Sequence, residues 1–189
     1  KIEQKPDYYK KQLETGHGNP GDFPLEGSTE TEFKNACKSY YANMTLIDKK
    51  IGEIINKLKE IGEYDNTMII YTSDHGEYMG DFGMMGKGQY LSEVLMRVPL
   101  LIKPPQTNFT GYREKSLVNT INIPATCLDI AGGKIPDNMR SNSLRPFWKG
   151  GTYKGEDYVY LEAANVRGVR TENWKLIYYQ NREYGELYN

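Results

Sequence analysis

TMIIYTSDHGEYMGDFGMMGKGQYLSEVLMRVPLLIK, running from Thr67 to Lys103, is the stretch whose reading decides the fold. It reads as a buried strand (Thr67–Ser73), a glycine-rich loop (Asp74–Gly88), a short turn or helix, and a second apolar strand (Val98–Lys103). The first strand stays apolar until it breaks into Asp74-His75-Gly76-Glu77. Such a run suits the interior of an α/β sheet, where both faces are covered. Ligands in such sheets usually bind at the carboxyl ends of strands. Asp74 offers a hard oxygen donor and His75 a nitrogen, and neighbours at a strand end can turn toward one point as the chain bends. Gly76, Gly80, Gly83, Gly86 and Gly88 permit close backbone approach, and Lys87 brings a mobile point charge to an anion. The loop is therefore a candidate metal and anion site. The same residues also read as a plain corner, with Asp74 capping a turn and His75 hydrogen-bonded for structure alone.

Composition narrows the surroundings. With 189 residues, 38% hydrophobic and 26% charged, the chain can form a domain with a real core. Twenty-four basic residues against 25 acidic ones leave a net charge of −1, which gives no electrostatic case for nucleic acid or a membrane surface. No apolar run approaches the ~20 residues of a membrane-spanning helix. Lys1 opens in polar sequence, without an initiator methionine or a signal-peptide pattern, and this reads as a fragment or processed piece. Cys37 and Cys127 fall on apolar faces of predicted helices, which suggests buried free thiols and leaves the compartment open. Asn43-Met-Thr and Asn108-Phe-Thr fit the glycosylation pattern.

Outward from the central stretch, residues 1–27 read as irregular loop with a helical turn at Asp7–Leu13. His17 lies in this loop and is read as a loop residue. Ser28–Ile61 is the strongest helix: Thr29 with Glu32 forms a capping box, apolar residues recur at 3.6-residue spacing, and Gly62 is a natural stop. After the second strand come a short strand at Leu117–Thr120 and a helix capped by Asn122, with Pro124 in its first turn, closing at Gly132-Gly133. Ser143–Trp148 reads as a linker. Asp157–Ala163, Val166–Arg170 and Asn173–Gln180 then alternate as an antiparallel meander. The organisation expected is an α/β portion over residues 1–135 and a small antiparallel β subdomain over 136–189.

Three co-linear strings, I-I-Y-T-S-D-H-G-E, G-D-F-G-M-M-G-K and R-V-P-L-L-I, resemble the second half of a type I sulfatase of the alkaline phosphatase superfamily. The Ser28–Ile61 helix resembles the one preceding the metal-binding strand in that family. V-R-T-E-N-W-K-L-I-Y-Y and the closing G-E-L-Y-N resemble its small C-terminal subdomain. The resemblance implies part of an alkaline-phosphatase-like mixed sheet flanked by helices, with the antiparallel subdomain beyond it. It implies that Asp74 and His75 supply two ligands to one divalent metal, calcium in most of the family, with magnesium, manganese or zinc left open. It also implies that Lys87 contacts the sulfate group. Leu91 and Ser92 stand where the family pattern carries an acidic residue.

The family's nucleophile is a formylglycine made from Cys or Ser in C/S-x-P-x-R, and its remaining metal ligands include two consecutive aspartates. This chain contains neither motif. The resemblance covers nearly the whole chain but about the second half of the family domain. It implies a piece of a sulfuric ester hydrolase that is inactive alone, whose partners are a sulfate-ester substrate and the other half of its own domain. Two further readings stand beside it: a phosphonate or phosphodiester hydrolase of the same superfamily, and a non-catalytic binding module.

Overall fold

The computed structural model describes residues 2–16, 27–106, 111–150 and 153–189. His17 and the Asn108 glycosylation pattern lie outside the described residues. The chain divides into two compact units, Lys1–Phe109 and Thr110–Asn189.

The first unit opens with α1 (Asp7–Glu14) and the long α2 (Glu30–Glu60). The expected capping box is present: Glu32 N–H donates to Thr29 Oγ1 at 3.2 Å, and Thr29 N–H donates back to Glu32 Oε2 at 2.7 Å. At the other end, Gly62 takes φ +74, the left-handed conformation that ends a helix. The apolar stripe does not bury as its spacing suggests. No residue of α2 is buried, and Ile47, Ile54 and Ile61 stand exposed. Its ends are therefore set by local chemistry rather than by packing.

Two short strands follow, β1 (Ile69–Thr72) and β2 (Leu100–Lys103), with α3 (Glu93–Met96) between them. They pair antiparallel, Ile69 facing Lys103 and Thr72 facing Leu100. Among the described residues β1 pairs with β2 alone, so neither strand has the covered faces expected from its sequence, and Leu101 is exposed. The core of this unit lies in the loop and α1 instead, in Tyr8, Tyr9, Tyr78, Met84, Met85, Tyr90, Leu91 and Leu95. The Met84-Met85 pair packs the loop down, as its apolar character implies.

The second unit carries α4 (Asn122–Ile130), α5 (Pro146–Lys149) and the strands β3 (Val159–Ala163), β4 (Val166–Arg170), β5 (Lys175–Tyr179) and β6 (Gly185–Tyr188). The strands form an antiparallel meander in chain order. Val166 and Gly168 on β4, and Lys175, Ile177 and Tyr179 on β5, are buried and alternate with exposed neighbours, the period of two that a pleated strand imposes. The closing G-E-L-Y is a fourth strand paired along β5.

Four details differ from the sequence reading. Leu117–Thr120 is not a strand, because its backbone groups serve a turn: Asn119 N–H donates to Asn122 Oδ1 at 2.7 Å, and the Leu117 carbonyl accepts from Glu156 N–H at 2.8 Å. Asn122 is the first helical residue rather than the cap, and Ile121 precedes it. Its buried amide also donates to the Asn142 carbonyl at 3.0 Å. Ser143–Trp148 is no linker: Leu144 is buried, and its N–H donates to Thr126 Oγ1 at 2.9 Å. Cys127 lies on an exposed position of α4, and Cys37 is half-buried; both are free.

Candidate active site

β1 delivers the chain into Ser73, and three short hydrogen bonds then fold the corner. Ser73 Oγ donates to the His75 carbonyl at 2.8 Å, and the His75 backbone N–H donates to Asp74 Oδ1 at 3.0 Å. The second carboxylate oxygen, Asp74 Oδ2, is left 3.6 Å from His75 Nε2. His75 Nδ1 lies 2.7 Å from the Gly76 carbonyl. A carbonyl only accepts, so Nδ1 carries the proton and Nε2 presents its lone pair. Lys87 Nζ stands 2.7 Å from that same Nε2 and donates to it. Asp74, His75 and Lys87 thus meet at one point.

The neighbouring His75 imidazole, the backbone N–H groups of His75 and Asp74, and the Lys87 ammonium together hold the Asp74 carboxyl below the ordinary carboxylate range, against a smaller opposing effect of burial. Asp74 is therefore an anion at neutral pH. Glu77 Oε1 accepts the Met79 N–H at 3.2 Å.

Close packing holds the loop in place. A Cβ on Gly76 would lie 1.7 Å from the Val94 carbonyl oxygen, so only glycine lets the backbone after His75 run against α3. There the Gly76 N–H donates to the Leu95 carbonyl at 2.8 Å. Gly80, at φ +97, accepts the Phe33 ring in the space a side chain would fill, with 2.7 Å to the added carbon. Tyr78 N–H reaches the Gly86 carbonyl at 3.0 Å, across the loop and next to Lys87.

One ion bonding at roughly 2.0–2.6 Å to each donor can bridge the 3.6 Å between Asp74 Oδ2 and His75 Nε2. The donor chemistry, one ionised carboxylate and one imidazole lone pair with its other nitrogen anchored, fits a divalent cation that takes the place of the Lys87 ammonium on Nε2. Among the described residues no group of three or more His, Cys, Asp or Glu gathers around such an ion. Asp74 and His75 are thus a pair of candidate donors. Sequence reasoning marks Gly76 for close backbone approach but misses Tyr78, whose hydrogen bond to Gly86 closes the loop across eight positions.

Comparison with known proteins gives a consistent result. The Sulfatase family profile matches residues 3–133, and the profile named N-sulphoglucosamine sulphohydrolase, C-terminal, matches residues 80–189. The chain is 30% identical over 174 residues to the N-acetylglucosamine-6-O-sulfatase of Bacteroides thetaiotaomicron, covering 85% of this chain and 31% of that protein. To the multifunctional alkaline phosphatase superfamily protein PehA of Trinickia caryophylli it is 37% identical over 134 residues, 69% of this chain and 25% of that one. Among solved structures, BT4656 in complex with its substrate D-glucosamine-2-N,6-O-disulfate matches with a TM-score of 0.72 at 29% identity, over 79% of this chain and 33% of that chain. The phosphonate monoester hydrolase of Silicibacter pomeroyi matches with a TM-score of 0.68 at 27% identity, over 76% of this chain and 32% of the other. The chain thus spans about a third or less of the length of these relatives.

Proposed function

We propose, from the premise that this chain belongs to the sulfatase family, that it forms one side of the active site of an enzyme hydrolysing sulfate esters. The observation that carries the reading is the convergence of Lys87 Nζ on His75 Nε2 at 2.7 Å, with Asp74 Oδ2 3.6 Å away. A divalent metal, calcium by family habit, would be held by Asp74 and His75, and when bound it supplies charge that stabilises anionic oxygen. The rest follows from this chain's own groups. The Gly76 carbonyl fixes the imidazole so that Nε2 faces the site. Asp74, an anion through neutral pH, balances the positive charge gathered there. Lys87, on a loop pinned by Met84 and Met85, offers its ammonium to a sulfate oxygen and offsets charge that grows on the leaving group, a type of contact worth roughly 10²–10³ in rate.

A formylglycine nucleophile belongs to the same proposal. The chain holds no C/S-x-P-x-R motif from which to make one, so these residues alone are proposed to show no turnover. The identity to PehA and the match to a phosphonate monoester hydrolase favour a second reading, in which the same corner serves phosphonate or phosphodiester hydrolysis. Comparing kcat/KM for nitrophenyl sulfate and a nitrophenyl phosphonate in the whole protein separates the two. The sulfatase reading predicts the sulfate ester to be preferred by at least about tenfold, a difference of ~1.4 kcal/mol in transition-state binding. Preference for the phosphonate would give the second reading the place.

A further inference from the structure

We infer that the Ser92 hydroxyl is a positioning residue for Lys87, acting through a buried cluster of tyrosines. The role in turnover rests on the sulfate-ester reading above; the role in placing the loop does not. Ser92 occupies the N-cap of α3, yet its side chain makes no capping hydrogen bond. A serine in that place ordinarily serves the helix. Here Oγ is turned away to share hydrogen bonds with Tyr78 Oη at 2.7 Å and Tyr9 Oη at 3.2 Å. Tyr9 and Tyr78 are almost wholly buried, and so is Tyr90, whose ring stacks on Tyr9 at 4.6 Å and meets Tyr78 edge-on at 5.6 Å. Burial, with Tyr9 and Tyr8 beside it, pushes the Tyr90 phenol upward, so it stays a neutral phenol.

This cluster has direct connections to the Lys87 segment. The Tyr78 backbone N–H donates to the Gly86 carbonyl at 3.0 Å, one residue before Lys87. Tyr8, the neighbour of Tyr9 on α1, donates its hydroxyl to the Gln89 carbonyl at 3.0 Å, two residues after it. The Lys87 backbone is thus held on both sides by residues that converge on Ser92 and its tyrosines. Serine suits the node because one small hydroxyl can donate once and accept twice, and its size leaves room for two phenol oxygens. Removing Oγ takes a hydrogen bond of 2.7 Å from Tyr78 and one of 3.2 Å from Tyr9, and so loosens the buried rings that carry the loop.

The test uses Ser92→Ala, Ser92→Thr and Ser92→Gly in the whole protein, with amide hydrogen exchange at Tyr78 and steady-state hydrolysis of nitrophenyl sulfate as readouts. Ser92→Ala is expected to speed Tyr78 exchange by about tenfold and to lower kcat by about tenfold with little change in KM, the scale of one buried hydrogen bond. Ser92→Thr keeps the hydroxyl and restores both. Ser92→Gly, a tolerated N-cap residue with no side-chain oxygen, restores neither, which separates positioning from helix capping. Unchanged exchange and kcat in Ser92→Ala would overturn the inference, as would full rescue by Ser92→Gly. If the parent enzyme does not hydrolyse the sulfate ester but the exchange effect persists, the reaction assigned above fails and the placement of the loop by Ser92 stands.

Discussion

Replacing Gly76 with alanine tests the architecture of the corner most sharply. The added carbon would sit 1.7 Å from the Val94 carbonyl oxygen, 2.8 Å from its carbon and 3.1 Å from the Leu95 Cα. These are backbone atoms, which cannot swing aside as a side chain can. Carbon and carbonyl oxygen meet at about 3.3 Å, so the two segments must part by roughly 1.6 Å. The Gly76 N–H to Leu95 carbonyl bond, now 2.8 Å, is then lost. Forcing a tight contact apart costs about 1–3 kcal/mol, and the lost bond adds about 0.5–1.5 kcal/mol. Alanine's lower freedom in the unfolded chain returns about 0.4–1 kcal/mol. The net destabilisation is centred at about 2 kcal/mol, in a range of about 0.5–4 kcal/mol. With a urea m-value of about 1–3 kcal/mol per molar, the midpoint should fall by about 1–2 M. Far-UV circular dichroism is the suitable probe, because the long α2 lies in the same unit as Gly76. Both tryptophans, Trp148 and Trp174, lie in the other unit, so their fluorescence provides an internal control. Because His75 adjoins the displaced backbone, activity of the whole protein should also drop by about 10²-fold, the usual effect of a 1 Å misplacement. A Gly76→Ala protein with the parent's helical midpoint would refute the reasoning.

Three further outcomes are expected. Thr29→Ala should lower the stability of the α2 unit by about 1 kcal/mol, and a double-mutant cycle with Glu32→Ala should show strong coupling, since each side chain bonds the other's backbone. A hydrogen bond from Ser143 and the guanidinium of Arg145 at 2.9 Å hold the Asp129 carboxyl below its usual range, against the opposing effect of burial. A depressed folded-state pKa stabilises above the unfolded value and loses that contribution as pH falls through the folded one; the second unit should therefore weaken below about pH 4. Solvent reaches both partners, so Asp129→Asn should flatten this acid limb by less than about 1 kcal/mol, read from tryptophan fluorescence across a pH series. Stripping divalent ions from the whole protein with a chelator should abolish hydrolysis and calcium should restore it, while Asp74→Asn should raise the calcium needed by at least about tenfold, measured by titration calorimetry.

What could be read from the sequence was local. The capping box at Thr29 and Glu32 acts within four residues, and Gly62 stops the helix through its own φ, so α2 was legible to within two residues at either end. The alternation through Val166–Arg170 and Lys175–Tyr179 is likewise a property of each strand. Burial was not legible: the apolar spacing of α2 and the apolar runs of β1 and β2 predict covered faces, and coverage depends on what lies opposite. Asn122 looked like a cap because asparagine before Pro124 satisfies the rule, but its amide is engaged with Asn119 and Asn142. At the site, Asp74 and His75 are adjacent and announce themselves, and Lys87 stands close behind. The supports do not, since Ser92 meets Tyr9 from 83 positions away, and the fit of Gly76 against Val94 depends on space that no residue pattern records.

The most direct measurement is kcat/KM for nitrophenyl sulfate in the whole protein, comparing the parent with Lys87→Ala, each shown by circular dichroism to be folded. The proposed contact of Lys87 with the reacting sulfate predicts a fall of about 10²–10³, carried mainly by kcat. A Lys87→Ala enzyme with the parent's kcat/KM would contradict the account, leaving Lys87 as a structural partner of His75 and the corner without its proposed role.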